Sequence, residues 1–185
     1  MKRVFIVHGW GGNPSSGWVP WLRNALEARG YQVNAPIMPN ADAPVIKDWV
    51  KHLTDIVGTP DKETYFVGHS IGCQTILRYL ETIDKPVGGA VFVAGWFTLE
   101  NLEDEDSKEV ARPWITTPIN LKRIKEILPK SVLIISSDDP FGAFRENKQK
   151  FSGLVSREVV LPNAGHIESL EEPAILTQLL FVAGS

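Results

Sequence analysis

The sequence predicts an α/β fold: one domain over residues 1–185, with a mostly parallel six-stranded sheet and helices on both faces. Three observations carry this. Short β-rich apolar runs alternate with stretches of helical periodicity along the chain, the order that parallel strands and their crossover helices require. With 185 residues and 20.5 kDa, the chain can bury a substantial core but is too short for two domains of ordinary size. Its 43% hydrophobic and 22% charged residues are those of a globular protein, not of a disordered one.

The elements justify themselves in order. "RVFIVHG" reads as the first strand. "GWVPWLRNALEARG" is a helix with apolar positions at Trp18, Trp21, Leu22, Ala25 and Leu26, closed by Gly30. After the short strand "YQVNAP" comes the helix "APVIKDWVKHLTDIVG", whose stripe runs through Val45, Ile46, Trp49, Val50, Leu53 and Val57 to Gly58. Strand "TYFVG" and helix "IGCQTILRYLETI" follow, then strand "VGGAVFVAG", helix "INLKRIKEIL", strand "SVLIISS", helix "GAFRENKQKFSG" and strand "REVVL". A last helix spans about residues 173–182. Residues 99–118, "LENLEDEDSKEVARPWITTP", fit no such pattern; their carboxylates mark a solvated loop or helix end, and Trp114 after Pro113 makes a lid over the strand ends the alternative.

Composition narrows the function. The net charge is −3 and no basic stripe exists, which argues against nucleic acid or an anionic membrane as partner. Cys73 is the single cysteine, so neither an intramolecular disulfide nor a cysteine-based zinc site can form. The apolar run after Met1-Lys2-Arg3 breaks at His8-Gly9, too early for a signal-peptide core, and no stretch approaches the roughly 20 apolar residues of a spanning helix. A reduced, cytoplasmic setting is expected.

In a parallel sheet, ligands bind at the carboxyl ends of the strands. Those ends here run into His8-Gly9-Trp10-Gly11-Gly12, Gly68-His69-Ser70-Ile71-Gly72, Gly95-Trp96, Ser137-Asp138-Asp139-Pro140 and Asn163-Ala164-Gly165-His166. Topology alone thus gathers a serine, a carboxylate and an imidazole. Ser70 stands in G-x-S-x-G between a buried strand and a helix, a turn that pushes the hydroxyl out of the sheet and points the Ile71 amide at a developing oxyanion. A serine hydroxyl needs a base within reach and a third group to orient that base. In the strand–serine–helix template the histidine follows the serine and acid along the chain, and of His8, His52, His69 and His166 only His166 lies after Ser70. His52 reads as a surface residue, His69 as packing, and His8 as a structural part of the Gly-rich loop.

That loop is no nucleotide cradle. Pro14 occupies the third glycine position of G-x-G-x-x-G, and Trp18-Val19 stand where a P-loop requires Lys and Ser or Thr. An oxyanion loop fits better, with the Trp10 amide as second donor. Asp138 and Asp139 both follow their strand. Successive residues of extended chain point to opposite sides, so one of the two faces the imidazole, and Pro140 makes the Asp139 backbone the more rigid.

At this point the chain resembles the α/β-hydrolase superfamily, and more closely the small serine hydrolases related to retinoblastoma-binding protein 9 and the bacterial YdeN-type proteins. The likeness covers nearly the whole chain through "GHSIG", "ARPW", "KRIKE", "SSDDPF", "NAGHIE" and Gly17-Trp18. It implies a compact α/β-hydrolase fold with a minimal cap, with Ser70 as nucleophile, Asp139 as acid and His166 as base. Two departures stand out: L-x-C-x-E, the segment that would engage retinoblastoma protein, is absent, and Phe141-Gly142-Ala143-Phe144 replaces the proline expected shortly after the acid. The expected activity is hydrolysis of small esters, thioesters or amides with no metal or organic cofactor. Trp10, Trp18, Trp96 and Trp114 are candidates to line an apolar pocket, with core packing the alternative for each. The alternative is a protein-interaction module on the same scaffold, without useful turnover.

Overall fold

The computed structural model describes residues 1–185. Its elements are β1 (Arg3–Val7), α1 (Val19–Glu27), β2 (Gln32–Asn34), α2 (Ile46–Val57), β3 (Thr64–His69), α3 (Ile71–Glu81), β4 (Gly89–Val93), α4 (Glu105–Thr116), α5 (Leu121–Ile127), β5 (Ser131–Ser136), α6 (Phe144–Ser152), β6 (Arg157–Leu161) and α7 (Pro173–Ala183). The six strands form one sheet in the order β2-β1-β3-β4-β5-β6, and every pairing is parallel.

Alternation along the strands separates two apolar layers. Phe5, Val7, Phe66, Phe92, Leu133 and Ile135 face one side and pack with residues of α2, α3, α5 and α6. Val4, Ile6, Val67, Val91, Val93, Val132 and Ile134 face the other, with residues of α1 and α7. Both faces of the sheet are therefore covered, which is why the inner strands are apolar at nearly every position.

The strand order locates a crevice. From β1 the chain moves outward to β2, then returns to place β3 on the other side of β1. The connections leaving β1 and β3 diverge, and a cleft opens at the carboxyl ends of these two neighbours. The Gly-rich loop leaves β1 at this point and Ser70 leaves β3.

Residues 99–118 correct the sequence-based expectation of a solvated loop. They contain the twelve-residue helix α4, begun by the Asp104 carboxylate, which accepts from the Ser107 amide at 2.7 Å. Glu105 and Asp106 lie in its first turn, where negative charge suits the helix dipole. The inner side buries Ala111 and Trp114. At the other end, the Arg78 guanidinium of α3 donates to the carbonyls of Trp114 and Thr117 at 3.0 and 2.9 Å. Ahead of the helix, Leu99 forms an antiparallel bridge with Gly142, so the segment is tied to the loop beyond β5.

Candidate active site

Ser70 sits between β3 and α3 with φ 53° and ψ −121°, a backbone conformation that a non-glycine residue adopts only when its surroundings impose it. The two flanking glycines are what impose it. A Cβ at Gly72 would collide with the Val7 carbonyl oxygen, and one at Gly68 would meet the Cys73 amide nitrogen at 2.7 Å. Only glycine lets the start of α3 press against the ends of β1 and β3. The corner is further fixed by the Ser70 amide, which donates to the Val93 carbonyl at 2.9 Å.

His166 and Asp139 arrive from the loops after β6 and β5. The His166 Nδ1 and an Asp139 carboxylate oxygen are 2.7 Å apart, with side-chain exposures of 11% and 4%. The other Asp139 oxygen accepts from the Phe141 amide at 3.0 Å. Thus Phe141, in the stretch that departs from the family's proline, aligns the carboxylate through its backbone and sets its ring edge-on to His166 at 5.3 Å. With Nδ1–H donated to a carboxylate, the His166 Nε2 is left with a free lone pair. Asp138 is engaged elsewhere: it accepts from the Ser136 hydroxyl at 2.6 Å and from the Gly165 amide at 3.0 Å, which holds its carboxyl below the ordinary range and pins the histidine loop.

Two further side chains support that loop. His69 Nε2–H donates to the His166 carbonyl at 2.8 Å, and the Trp18 indole donates to the Ile167 carbonyl at 2.9 Å. Burial, and then the neighbouring His166, push the His69 imidazole down to about 4, so at neutral pH it is an uncharged prop. His8, expected to be structural, donates from Nδ1 to the Gly9 carbonyl and accepts the Met38 amide on Nε2, an arrangement that needs the neutral ring. Cys73 is buried against the Gly68 and Val93 carbonyls, and burial pushes its thiol upward, away from the reactive thiolate.

Ile71 is the first residue of α3, where an amide has no acceptor within its own helix. The Trp10 amide likewise has no protein acceptor, while the neighbouring Gly11 amide is committed to Ala41 and the Trp10 indole to Asp42. These are the two N–H groups named from the sequence as an oxyanion hole.

Two cavities of about 350 Å³ each meet at Ser70 and His166. The first runs along the Gly-rich loop, with Ser16, Trp18 and His69 in its walls. The second is apolar and is lined by Trp96, Leu99, Leu102 and Phe141. Trp10 and Glu168 border both. Of the candidate pocket tryptophans, Trp10, Trp18 and Trp96 border a cavity and Trp114 does not. Trp114 is 1% exposed, donates its indole N–H to the Pro44 carbonyl and packs edge-on against Trp49, because α4 turns it inward as core. Trp96 contacts Ser70 itself: its Nε1–H donates to Ser70 Oγ at 3.2 Å. Neither this bond nor the role of Leu99, Leu102 and Phe141 as cavity walls is legible in the sequence, since each is an ordinary apolar residue in an irregular segment.

A model of the serine hydrolase family matches residues 4–172. The chain belongs to that family. It is 30% identical over 171 residues to YdeN of Bacillus subtilis (strain 168), an alignment covering 89% of this chain and 85% of that protein. It is 27% identical over 172 residues to serine hydrolase RBBP9 of Rattus norvegicus, covering 92% and 89%. The crystal structure of the YdeN gene product superposes over the full length of both chains with a TM-score of 0.90 at 26% identity. Est1E from Butyrivibrio proteoclasticus shares the fold, with a TM-score of 0.76, at 11% identity over 100% of this chain and 89% of that one.

Proposed function

We propose that this serine hydrolase cleaves small esters, thioesters or amides through an acyl-enzyme formed on Ser70. The observation that carries the proposal is the convergence of a strained Ser70, His166 with its Nδ1 held by Asp139, and two unengaged amides at one end of the sheet. Ser70 Oγ attacks the substrate carbonyl while His166 Nε2 takes its proton. Asp139 fixes the ring orientation and stabilises the imidazolium that forms. The Trp10 and Ile71 amides receive the oxyanion; a donor of this kind is typically worth about 10²–10³ in turnover. As the tetrahedral intermediate collapses, His166 returns the proton to the leaving alcohol, thiol or amine. Water then attacks the acyl-enzyme by the same route and frees Ser70.

Ser70 Oγ accepts from the Trp96 indole through a lone pair, which leaves its own O–H free to be given to His166 Nε2. The base must be neutral to take the proton. A fluorophosphonate probe tests the assignment. It should label the native protein and fail to label Ser70→Ala, whereas Cys73→Ala should label normally. Undiminished labelling of Ser70→Ala would place the nucleophile elsewhere, and an unlabelled native protein would favour the interaction-module alternative.

A further inference from the structure

The hydrolase reading leaves one group at the reactive centre without a task. Glu168, two residues after His166, borders both cavities where they meet at Ser70. Its carboxylate makes no hydrogen bond or ion pair within the protein and stays exposed. Neither cavity is lined by a lysine or arginine. The imidazoles of His8 and His69 in the first cavity are both held toward the neutral form by burial. Asp139, behind His166, adds a second negative charge to the centre. Along the rim of the apolar cavity, Leu102 and Ser107 are separated only by Glu103, Asp104, Glu105 and Asp106, and the one lysine next to them, Lys108, is paired with Glu105 at 2.7 Å. A cleft lined by one sign of charge concentrates ligands of the opposite sign.

We propose that Glu168 selects substrates by charge: the site takes an ester or amide whose apolar half lies along Trp96, Leu99, Leu102 and Phe141 and whose other half carries an ammonium group against the Glu168 carboxylate. Glu168 is the one carboxylate in the lining of the apolar cavity, whose other polar side chains are Ser70, Ser107 and His166, and the Gly-rich cavity offers polar backbone and Ser16. A carboxylate in either half would lie beside Glu168 with no lysine or arginine in either lining to receive it; Lys108 and Arg112 line the adjoining groove beyond Leu99 and Leu102. This inference rests on the hydrolase reading and specifies its substrate class.

Matched ester pairs differing only in charge provide the test, with turnover followed by pH-stat. One pair places the charge on the alcohol: butyrylcholine against its carbon isostere, 3,3-dimethylbutyl butyrate. The other places it on the acyl group: the 3,3-dimethylbutyl esters of 4-trimethylammoniobutyrate and of 5,5-dimethylhexanoate. The native enzyme should favour the cationic member of at least one pair by roughly fivefold in kcat/KM, the scale of one partly exposed charge pair. The pair that shows the preference identifies which half of the substrate faces Glu168. The ratio should fall to about unity in Glu168→Gln, favour the neutral ester in Glu168→Lys, and shrink as salt is raised. Because each ratio is internal to one variant, a general loss of activity does not alter it. No preference in either pair, or a preference that survives Glu168→Gln, would overturn the proposal while leaving the hydrolase reading intact. If the neutral esters are not turned over and Ser70 is not labelled, the hydrolase reading fails and this one with it.

Discussion

Two adjacent carboxylates show how much one residue's position decides. Asp139 faces the His166 ring at 2.7 Å, whereas Asp138 turns to Ser136 and the Gly165 amide. Asp139→Asn should therefore lower turnover by about 10³–10⁴, the scale seen when the orienting acid of a serine triad is lost. Asp138→Asn should lower it far less and act mainly on the stability of the 163–166 loop; kinetics of the two variants side by side decide, and a greater loss for Asp138→Asn would shift the acid by one residue. Trp96 belongs to the same scale. Trp96→Phe keeps an aromatic wall and removes the donor to Ser70 Oγ, so the rate of fluorophosphonate labelling should change by roughly two- to tenfold, the worth of one neutral hydrogen bond. An unchanged rate would mean that the bond does nothing for attack.

At the scale of elements, α3 links the Ser70 corner to α4. Gln74 donates to the Trp96 carbonyl at 3.1 Å and accepts from Arg78 at 3.0 Å, and Arg78 caps the carbonyl end of α4. Arg78 is buried with no carboxylate in hydrogen-bond contact, its guanidinium near the Trp114 ring at 5.8 Å. Arg78→Met should cost about 1.5–3 kcal/mol, because it removes charge-assisted bonds and strands buried carbonyls. A lower urea midpoint with an unchanged m-value would show it; an unaltered midpoint would remove Arg78 from the structural account. This connection was not legible in the sequence, where Arg78 is one cation on an apolar helix. The strands were legible, since runs such as "SVLIIS" and "TYFVGH" are buried on both faces and so apolar between their polar ends. The Ser70 corner was legible because its glycines are sterically required. Helix α4 was hidden by its acidic start and by Pro113 inside it, with Ala111 and Trp114 its only buried residues. The Asp104–Ser107 cap followed by acidic first-turn residues was the signal present. Trp114 was misplaced for the same reason: without the helix, its inward direction could not be read.

Over the whole molecule, the site's imidazoles set how stability responds to acid. His8 and His69 are both held below the ordinary imidazole range, His69 at about 4, by burial. In the unfolded chain each titrates near ~6.5. Between these values the unfolded state binds protons that the folded state refuses, so stability rises with pH and falls as the solution is acidified. The loss begins as pH drops below about 6.5 and, for His69, continues until about 4, where the folded protein also takes the proton. Carboxylates act in a lower window. Asp61, Asp104, Asp138 and Glu146 are all held below their ordinary values by hydrogen bonds, so their contribution is fully present above the unfolded carboxyl range, begins to fall there and is lost as pH drops through their lower folded values. The two windows can be separated by measuring urea midpoints between neutral pH and about pH 5, where folded and unfolded carboxylates are largely ionised. Stability should decline across that interval in the native protein. His69→Gln retains a donor for the His166 carbonyl but cannot titrate, so its decline should be shallower, with His8 carrying the remainder. It should also keep most of the activity at neutral pH, since His69 is already uncharged there. If His69→Gln declines as steeply as the native protein, His69 is not a source of the acid sensitivity, and the neutral prop beneath His166 would have to be assigned a different protonation state.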